Sequence, residues 1–131
     1  MSIGFRGILH PMPSPKSAAV FACCVTALVP SACTFPGEGP KALAGFKASA
    51  AIIHGLGEYH SKNATYPDTL QLLVPTFLTS DQLTPPRDIT GYDYRREEGA
   101  GFTFGFKYTG PGANTCTFAS SSRSWHCSGL Y

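Results

Sequence analysis

The pattern of apolar and polar residues divides the chain into an apolar leader, one helical segment and several alternating segments. Between Lys41 and Ser61, apolar and small residues recur at spacings of three and four, which is typical of an amphipathic helix. The stripe predicted to face the core consists of Leu43, Phe46, Ala50, Ile53, Gly57 and His60, widened by Ile52, Leu56 and Tyr59. Gly55 and Gly57 weaken this helix, and we expect them to allow the close approach of a strand.

A second, shorter helix is predicted over Pro67–Val74. Pro67 suits a first helical position, where its missing N–H is not needed. Asp68 then falls in the first turn, where the helix dipole favours a negative charge, and Pro75 ends the segment. Residues 79–90 predict an irregular connection.

The rest of the chain alternates with a period of two, which is typical of strands. Tyr92 and Tyr94 share one strand face, and turns at residues 99–101 and 110–112 bound the next strand. That strand carries an aromatic row of Phe102, Phe104, Phe106 and Tyr108, and two further strands follow at about 114–119 and 124–129. The sequence therefore predicts an α+β domain, with one long N-terminal helix and a short helix packed on an antiparallel sheet of about four strands.

The last two strands predict a disulfide. Residues opposite each other in an antiparallel pair have numbers with a constant sum, and both Cys116 with Cys127 and Phe118 with Trp125 add up to 243. One register thus pairs both cysteines and both aromatic residues, with the turn centred on residues 121–122. Directly opposed Cα atoms lie within disulfide range, so Cys116 and Cys127 are expected to form a C-terminal disulfide hairpin.

The leader, residues 1–32, has the features of an export signal. Residues 17–29 form an uncharged apolar run that follows Lys16 and is too short to span a bilayer, which needs roughly twenty residues. A start at Met12 would give a more usual length before this run. We expect residues 1–32 to be a signal peptide, residues 33–40 a linker and residues 41–131 one α+β domain.

Cys33 is the predicted lipidation site. Ser31-Ala32-Cys33 resembles the end of a bacterial lipobox, although Pro30 stands where that pattern prefers a branched apolar residue. Ordinary cleavage after Ala32 is the alternative. Cysteine parity favours lipidation, because Cys33 is the one cysteine left over when the leader is removed and the hairpin pair is formed.

The charge balance of the chain favours no binding of nucleic acid. Of the whole-chain charge of +2, Arg6 and Lys16 belong to the leader, and residues 33–131 carry eight basic and eight acidic side chains. A neutral domain offers no electrostatic case for binding nucleic acid, which needs a concentrated basic face.

No catalytic, metal or cofactor site is predicted. His54 and His60 are six residues apart on a helix and project from different sides of it, and His126 should face away from Trp125. Asp81, Asp88 and Asp93 flank the long connection without a known calcium-loop spacing. Ser120–Ser124 lie near His126, but no carboxylate is placed to orient a base.

Residues 52–78 resemble the globular part of type II secretion pseudopilins and type IV pilin-like proteins. The similarity consists of a helix ending near Tyr59, followed by Tyr-Pro-Asp-Thr-Leu at 66–70 and Leu-Val-Pro at 73–75. The order of a variable loop, an antiparallel sheet and a C-terminal disulfide hairpin is similar too. Pilins begin with a cleavage site that runs straight into a long apolar assembly helix, whereas the apolar run here stops at Pro30.

The resemblance implies a non-enzymatic envelope protein that acts through contacts with other envelope proteins. It is expected to be an accessory of a secretion or pilus-like system and, if Cys33 is lipidated, to be held on the periplasmic face of a membrane. Without a lipid it would be periplasmic or secreted. The alternative function is a periplasmic binding or inhibitor module that uses the aromatic face of the sheet.

Overall fold

The computed structural model describes residues 35–130. The predictions for the leader and for Cys33 lie outside these residues. The elements in chain order are α1 (Gly39–Asn63), two short 3-10 helices (Leu70–Leu73 and Ser80–Leu83), β1 (Ile89–Glu97), β2 (Gly101–Thr109), β3 (Ala113–Ala119) and β4 (Ser124–Leu130).

Helix α1 is longer than predicted at both ends. It begins inside the segment expected to be a linker, because Pro40 occupies the first turn, where a proline costs no hydrogen bond. At the other end, Ala64 adopts a left-handed conformation (φ 57°), and its N–H donates to the His60 carbonyl at 2.8 Å. This cap closes the helix two residues beyond the predicted end at Ser61.

The predicted helix over Pro67–Val74 is wrong, since only Leu70–Leu73 form a single 3-10 turn. Thr69 is extended (φ −140°, ψ 152°), so the first helical turn does not form. The Pro67 carbonyl instead accepts a 2.6 Å hydrogen bond from the Tyr94 hydroxyl. The Pro67 carbonyl, which would accept a backbone hydrogen bond in a helix, thus accepts one from the sheet instead.

The sheet is a four-stranded antiparallel meander in the order β1-β2-β3-β4. The predicted register of the last hairpin is confirmed, since Cys116 pairs with Cys127 and Phe118 with Trp125. The disulfide is present, with a Cα–Cα distance of 4.0 Å. A four-residue loop joins the two strands and ends at Arg123, which is left-handed (φ 52°).

The predicted buried face of α1 is partly wrong. The fully buried positions are mostly small residues, namely Ala42, Gly45, Ser49, Ile52, Gly55 and Leu56. Leu43, predicted to be core, is 65% exposed. Ile52 and Leu56 are buried as predicted, and small residues rather than Leu43 complete the face turned toward the aromatic row on β2.

Gly45 makes the close approach to the sheet that was expected of Gly55 and Gly57. A Cβ at Gly45 would overlap the ring of Phe106 in β2. Gly55 packs against Leu78 in the loop after the first 3-10 turn, and a Cβ at Gly57 would meet nothing within 4 Å. Backbone contact with a large aromatic ring thus requires glycine at position 45 only.

The predicted α+β class is confirmed, with the predicted short helix replaced by 3-10 turns. One long helix packed on a four-stranded antiparallel sheet is a broadly pilin-like arrangement. Within residues 35–130, no helix is both long and apolar enough to cross a membrane.

Candidate functional site

The aromatic row of β2 forms the core beneath α1 and is not a surface. Phe104 and Phe106 are fully buried, and Phe102 and Tyr108 are 3% exposed. Two buried clusters fill the space between helix and sheet, one around Ile52, Leu56 and Phe104 and the other around Ala42 and Phe106. Binding through this aromatic row would require α1 to leave the sheet.

One side of α1 leaves apolar surface beside the last hairpin. Phe46 packs edge-on against Phe106 and against Trp125 of β4, with ring centroids 5.2 Å and 4.9 Å apart. Trp125 also packs against Phe118, at 5.5 Å, yet both remain half-buried. We call this surface the apolar flank, and it consists of Leu43, Phe46, Ala50, Ile53 and Gly57 on α1 with Phe118, Trp125 and Cys127 on the hairpin.

A small cavity opens at the end of the apolar flank, where Gly57 has no side chain. Its volume is about 150 Å³, and Ile53 and Phe118 form part of its walls. Ser120 and Arg123 from the hairpin loop contribute the polar part of its lining. The cavity is too small for a drug-sized ligand, which needs roughly 300 Å³ or more.

The segment before α1 is held against the end of the hairpin that carries the disulfide. The Gly37 N–H donates to the Tyr108 hydroxyl at 2.8 Å, and Lys41 donates to the Thr109 carbonyl at 2.7 Å. Gly37 has a positive φ of 89°, and a Cβ there would lie 2.8 Å from the Cys127 sulfur. The disulfide therefore packs directly beneath the chain that enters α1.

The three histidines considered as candidate site residues lie apart from one another in the structure. His54 is exposed, and its Nε2 lies 4.0 Å from Oε1 of Glu58, one turn along α1. His60 stacks on Tyr66, with ring centroids 4.4 Å apart, and His126 is exposed on the open face of β4.

The aspartates and serines singled out in the sequence also occupy separate positions. Asp81 lies in the second 3-10 helix, Asp88 just before β1 and Asp93 within β1, and all three are exposed. The Ser120 hydroxyl accepts a 2.8 Å hydrogen bond from the Phe102 N–H, so it joins the hairpin loop to β2. Among residues 35–130, no three His, Cys, Asp or Glu side chains are grouped so as to hold a metal ion.

Two tyrosines of β1 have different environments, which the alternation pattern could not reveal. The Tyr94 hydroxyl donates to the Pro67 carbonyl, and burial raises the pKa of Tyr94 to about 12, with the Arg96 guanidinium opposing the shift. The Tyr92 hydroxyl is buried without a hydrogen-bond partner in the described part of the chain, and burial raises its pKa as well. Tyr94 therefore ties β1 to the loop after α1, whereas the hydroxyl of Tyr92 contributes no such bond.

We expect Tyr94→Phe to lower the free energy of unfolding by about 1 kcal/mol, because one hydrogen bond is lost and a carbonyl is left without its partner. Wild-type stability should also fall as the pH rises from 10 to about 12. The folded-state pKa of Tyr94 lies above the ordinary tyrosine value of 10.0, so the unfolded chain loses this proton first. Urea unfolding at pH 7 and across this alkaline range measures both effects.

Tyr92→Phe is the matched control. It removes a hydroxyl of the same kind from the same strand, but one without a hydrogen-bond partner among residues 35–130. We expect its stability at pH 7 to equal or exceed that of the wild type, since an unsatisfied buried hydroxyl is removed. Equal losses in the two variants would contradict the assigned hydrogen bond.

Comparisons of the chain with protein-family models, with curated proteins and with solved structures found no match. The class that the structure itself defines is an α+β domain of broadly pilin-like architecture with a disulfide-bonded terminal hairpin.

Proposed function

We propose that this chain is a non-enzymatic protein of the cell envelope that acts through protein–protein contacts, as an accessory of a secretion or pilus-like system. The observation that carries the proposal is the apolar flank. Leu43 is 65% exposed there, and Phe46, Phe118 and Trp125 are half-buried. Contiguous apolar surface of this kind is typical of a site that another protein covers.

The Cys116–Cys127 disulfide supports the proposed location. Cys116 is fully buried and is bonded across paired strands, so the bridge is a structural one. Structural disulfides persist in oxidising compartments such as the periplasm and are rare in the cytosol. The proposal places the protein on the periplasmic face of a membrane through a lipid on Cys33, with a periplasmic or secreted form as the alternative.

A binding module that uses the aromatic sheet face is the less favoured candidate. The aromatic row of that face is buried beneath α1, with each side chain at most 3% exposed. The apolar flank is a shallow strip along one helix and one hairpin, which suits a protein surface better than a small ligand.

The proposal is tested by site-specific photo-crosslinking in intact cells. A photoreactive amino acid in place of Leu43 should give defined adducts with envelope proteins, because Leu43 lies on the apolar flank. The same amino acid in place of Asp88, an exposed residue just before β1, should give few. Cys33→Ser in the Leu43-labelled chain should release the protein from the membrane fraction and weaken its adducts.

The absence of adducts with other proteins from both positions would contradict the proposal of function by contact. Equal adducts from both positions would contradict the assignment of the contact to the apolar flank. Unchanged membrane association of the Cys33→Ser chain would contradict lipidation.

A further inference from the structure

The two edges of the sheet differ in how well they are protected against pairing with another strand. β1 carries the charged residues Asp93, Arg95, Arg96 and Glu97, and its register is interrupted between Ile89 and Gly91. Arg96 and Tyr94 also bind the loop after α1, through a 2.9 Å ion pair to Asp68 and a hydrogen bond to Pro67. Charges and an irregular register are among the devices that keep edge strands from associating.

Over Ser124–Leu130, β4 lacks both the charges and the irregular register. It contains no proline and no Asp, Glu, Lys or Arg. Its pairing with β3 runs without a register shift from Ala119–Ser124 to Ala113–Leu130. A regular, uncharged edge strand of seven residues is a template for a further strand.

The hydrogen-bond pattern shows which groups of β4 face outward. The Ser120 N–H donates to the Phe102 carbonyl at 3.0 Å. Since paired positions alternate along a ladder, even-numbered residues of β3 bond to β2 and odd-numbered ones to β4. Cys116 and Cys127 then form a non-hydrogen-bonded pair, in agreement with their short Cα–Cα distance of 4.0 Å.

The N–H and C=O groups of Trp125, Cys127 and Gly129 therefore point away from β3. Within residues 35–130, none of these groups makes a backbone hydrogen bond outside the β3–β4 ladder. The free edge of β4 thus presents alternating donors and acceptors along its whole length.

We propose that β4 pairs with β4 of a second copy of this chain, antiparallel and about a twofold axis at Cys127. In this register Cys127 lies opposite Cys127 of the second copy, and Trp125 lies opposite Gly129. All three outward-facing residues then sit in hydrogen-bonded pairs, and the interface forms about six backbone hydrogen bonds, two for each pair. Shifting the register by two residues would leave some of them unpaired.

A second copy fits this edge because the edge is self-complementary. Twofold pairing uses the same surface on both partners, the commonest arrangement of homo-oligomers. His126 is the only titratable side chain of the strand, and it falls opposite Ser128 of the second copy, so no like charges oppose each other at pH 7.

The twofold axis is perpendicular to the sheet, so the pairing extends it to twice its four strands and leaves both copies of α1 on the same face. The two apolar flanks would then face each other across β4 and its copy, as the sides of one trough. The pairing rests on the proposed function by contact and deepens it, because it names the first partner and combines two small flanks into one larger surface.

The test uses sedimentation velocity on the protein as cells process it, over a concentration series up to about 1 mM. His126→Lys with Ser128→Lys places lysines directly opposite each other across the proposed interface, on the exposed face of β4. We expect this variant to raise the dimer dissociation constant at least tenfold. Ser121→Lys with Ser122→Lys is the matched control, because it adds the same charge to the exposed loop of the same hairpin, and it should change the constant less than twofold.

A charge-reversed variant makes the test independent of folding defects. His126→Glu with Ser128→Glu should, on its own, likewise raise the dimer dissociation constant at least tenfold. An equimolar mixture of the lysine and glutamate variants should form heterodimers, because each lysine then opposes a glutamate. Restored association confirms the register.

A wild-type protein that stays monomeric up to 1 mM would overturn the pairing, as would equal weakening by the loop control or a mixture that does not associate. These outcomes concern the purified protein alone. Failure of the proposed function would appear separately, as the absence of crosslinks to other proteins in cells.

Discussion

Removing the hairpin disulfide is expected to lower the free energy of unfolding by about 3 kcal/mol. The bridge joins residues that are 11 positions apart, and in the chain-entropy model closing a loop of this size removes that much freedom from the unfolded chain. The variant is Cys116→Ala with Cys127→Ala, since Cys116 is fully buried and alanine leaves no unpaired polar atom there. Urea unfolding should show a midpoint lower by about 2 M.

Reductant provides the control for this measurement. It should destabilise the wild type by a similar amount and leave the double alanine variant unchanged. A loss below about 1 kcal/mol would show that strand pairing and packing of Phe118 on Trp125 already hold the hairpin together. Loss of the disulfide should also destabilise the start of α1, because Gly37 lies against the Cys127 sulfur.

Gly45→Ala is expected to lower the free energy of unfolding by about 2 kcal/mol and the melting temperature by about 10 °C. The new Cβ would overlap the ring of Phe106, which is fully buried and cannot move without disturbing its neighbours Phe46 and Trp125. Overpacking of this kind outweighs the gain in helix propensity, which is about 1 kcal/mol for Gly to Ala.

Gly57→Ala is the matched control for this substitution. It makes the same chemical change in the same helix, but its Cβ would meet nothing within 4 Å. The variant should be more stable than the wild type by up to about 1 kcal/mol, because only the propensity gain remains. If thermal unfolding found Gly45→Ala as stable as Gly57→Ala, the close contact between α1 and β2 would be wrong.

The contact at Gly45 also determines which surface is available for function. With Gly45 against the sheet, Phe46 and Ile53 lie at the side of the helix beside the β3–β4 hairpin, and Leu43 lies one turn before Phe46 on the same side. The apolar flank is thus a direct consequence of the way α1 is turned on the sheet. Substituting Leu43 should therefore affect partner contacts more than stability.

The free edge of β4 lies next to the same flank, through Trp125. That residue packs on Phe46 with its ring and presents its backbone groups to the outside. A strand added to β4 would lie beside the helix residues of the flank. The proposed self-pairing and the proposed partner contacts therefore use adjoining parts of one surface.

The sequence by itself determined the α+β class, the strand order of the hairpins and the Cys116–Cys127 register. These features follow from local rules, because alternation has a period of two and one sum of residue numbers pairs both the cysteines and the aromatic residues. The turns at Gly99 and Gly110 could also be predicted from the sequence, because glycine is favoured in turns that need a positive φ. Both glycines have a positive φ in the structure (110° and 121°).

Only the tertiary structure decided which face of α1 is buried, and that Pro67–Val74 does not form a full helix. Periodicity finds the stripe with the largest apolar residues, but the space beside Phe106 admits only small ones such as Ala42 and Gly45. Likewise, local propensity favoured a helix at Pro67, whereas the carbonyl of Pro67 accepts a hydrogen bond from the Tyr94 hydroxyl. Both outcomes depend on contacts with residues distant in sequence, so a local pattern could not predict them.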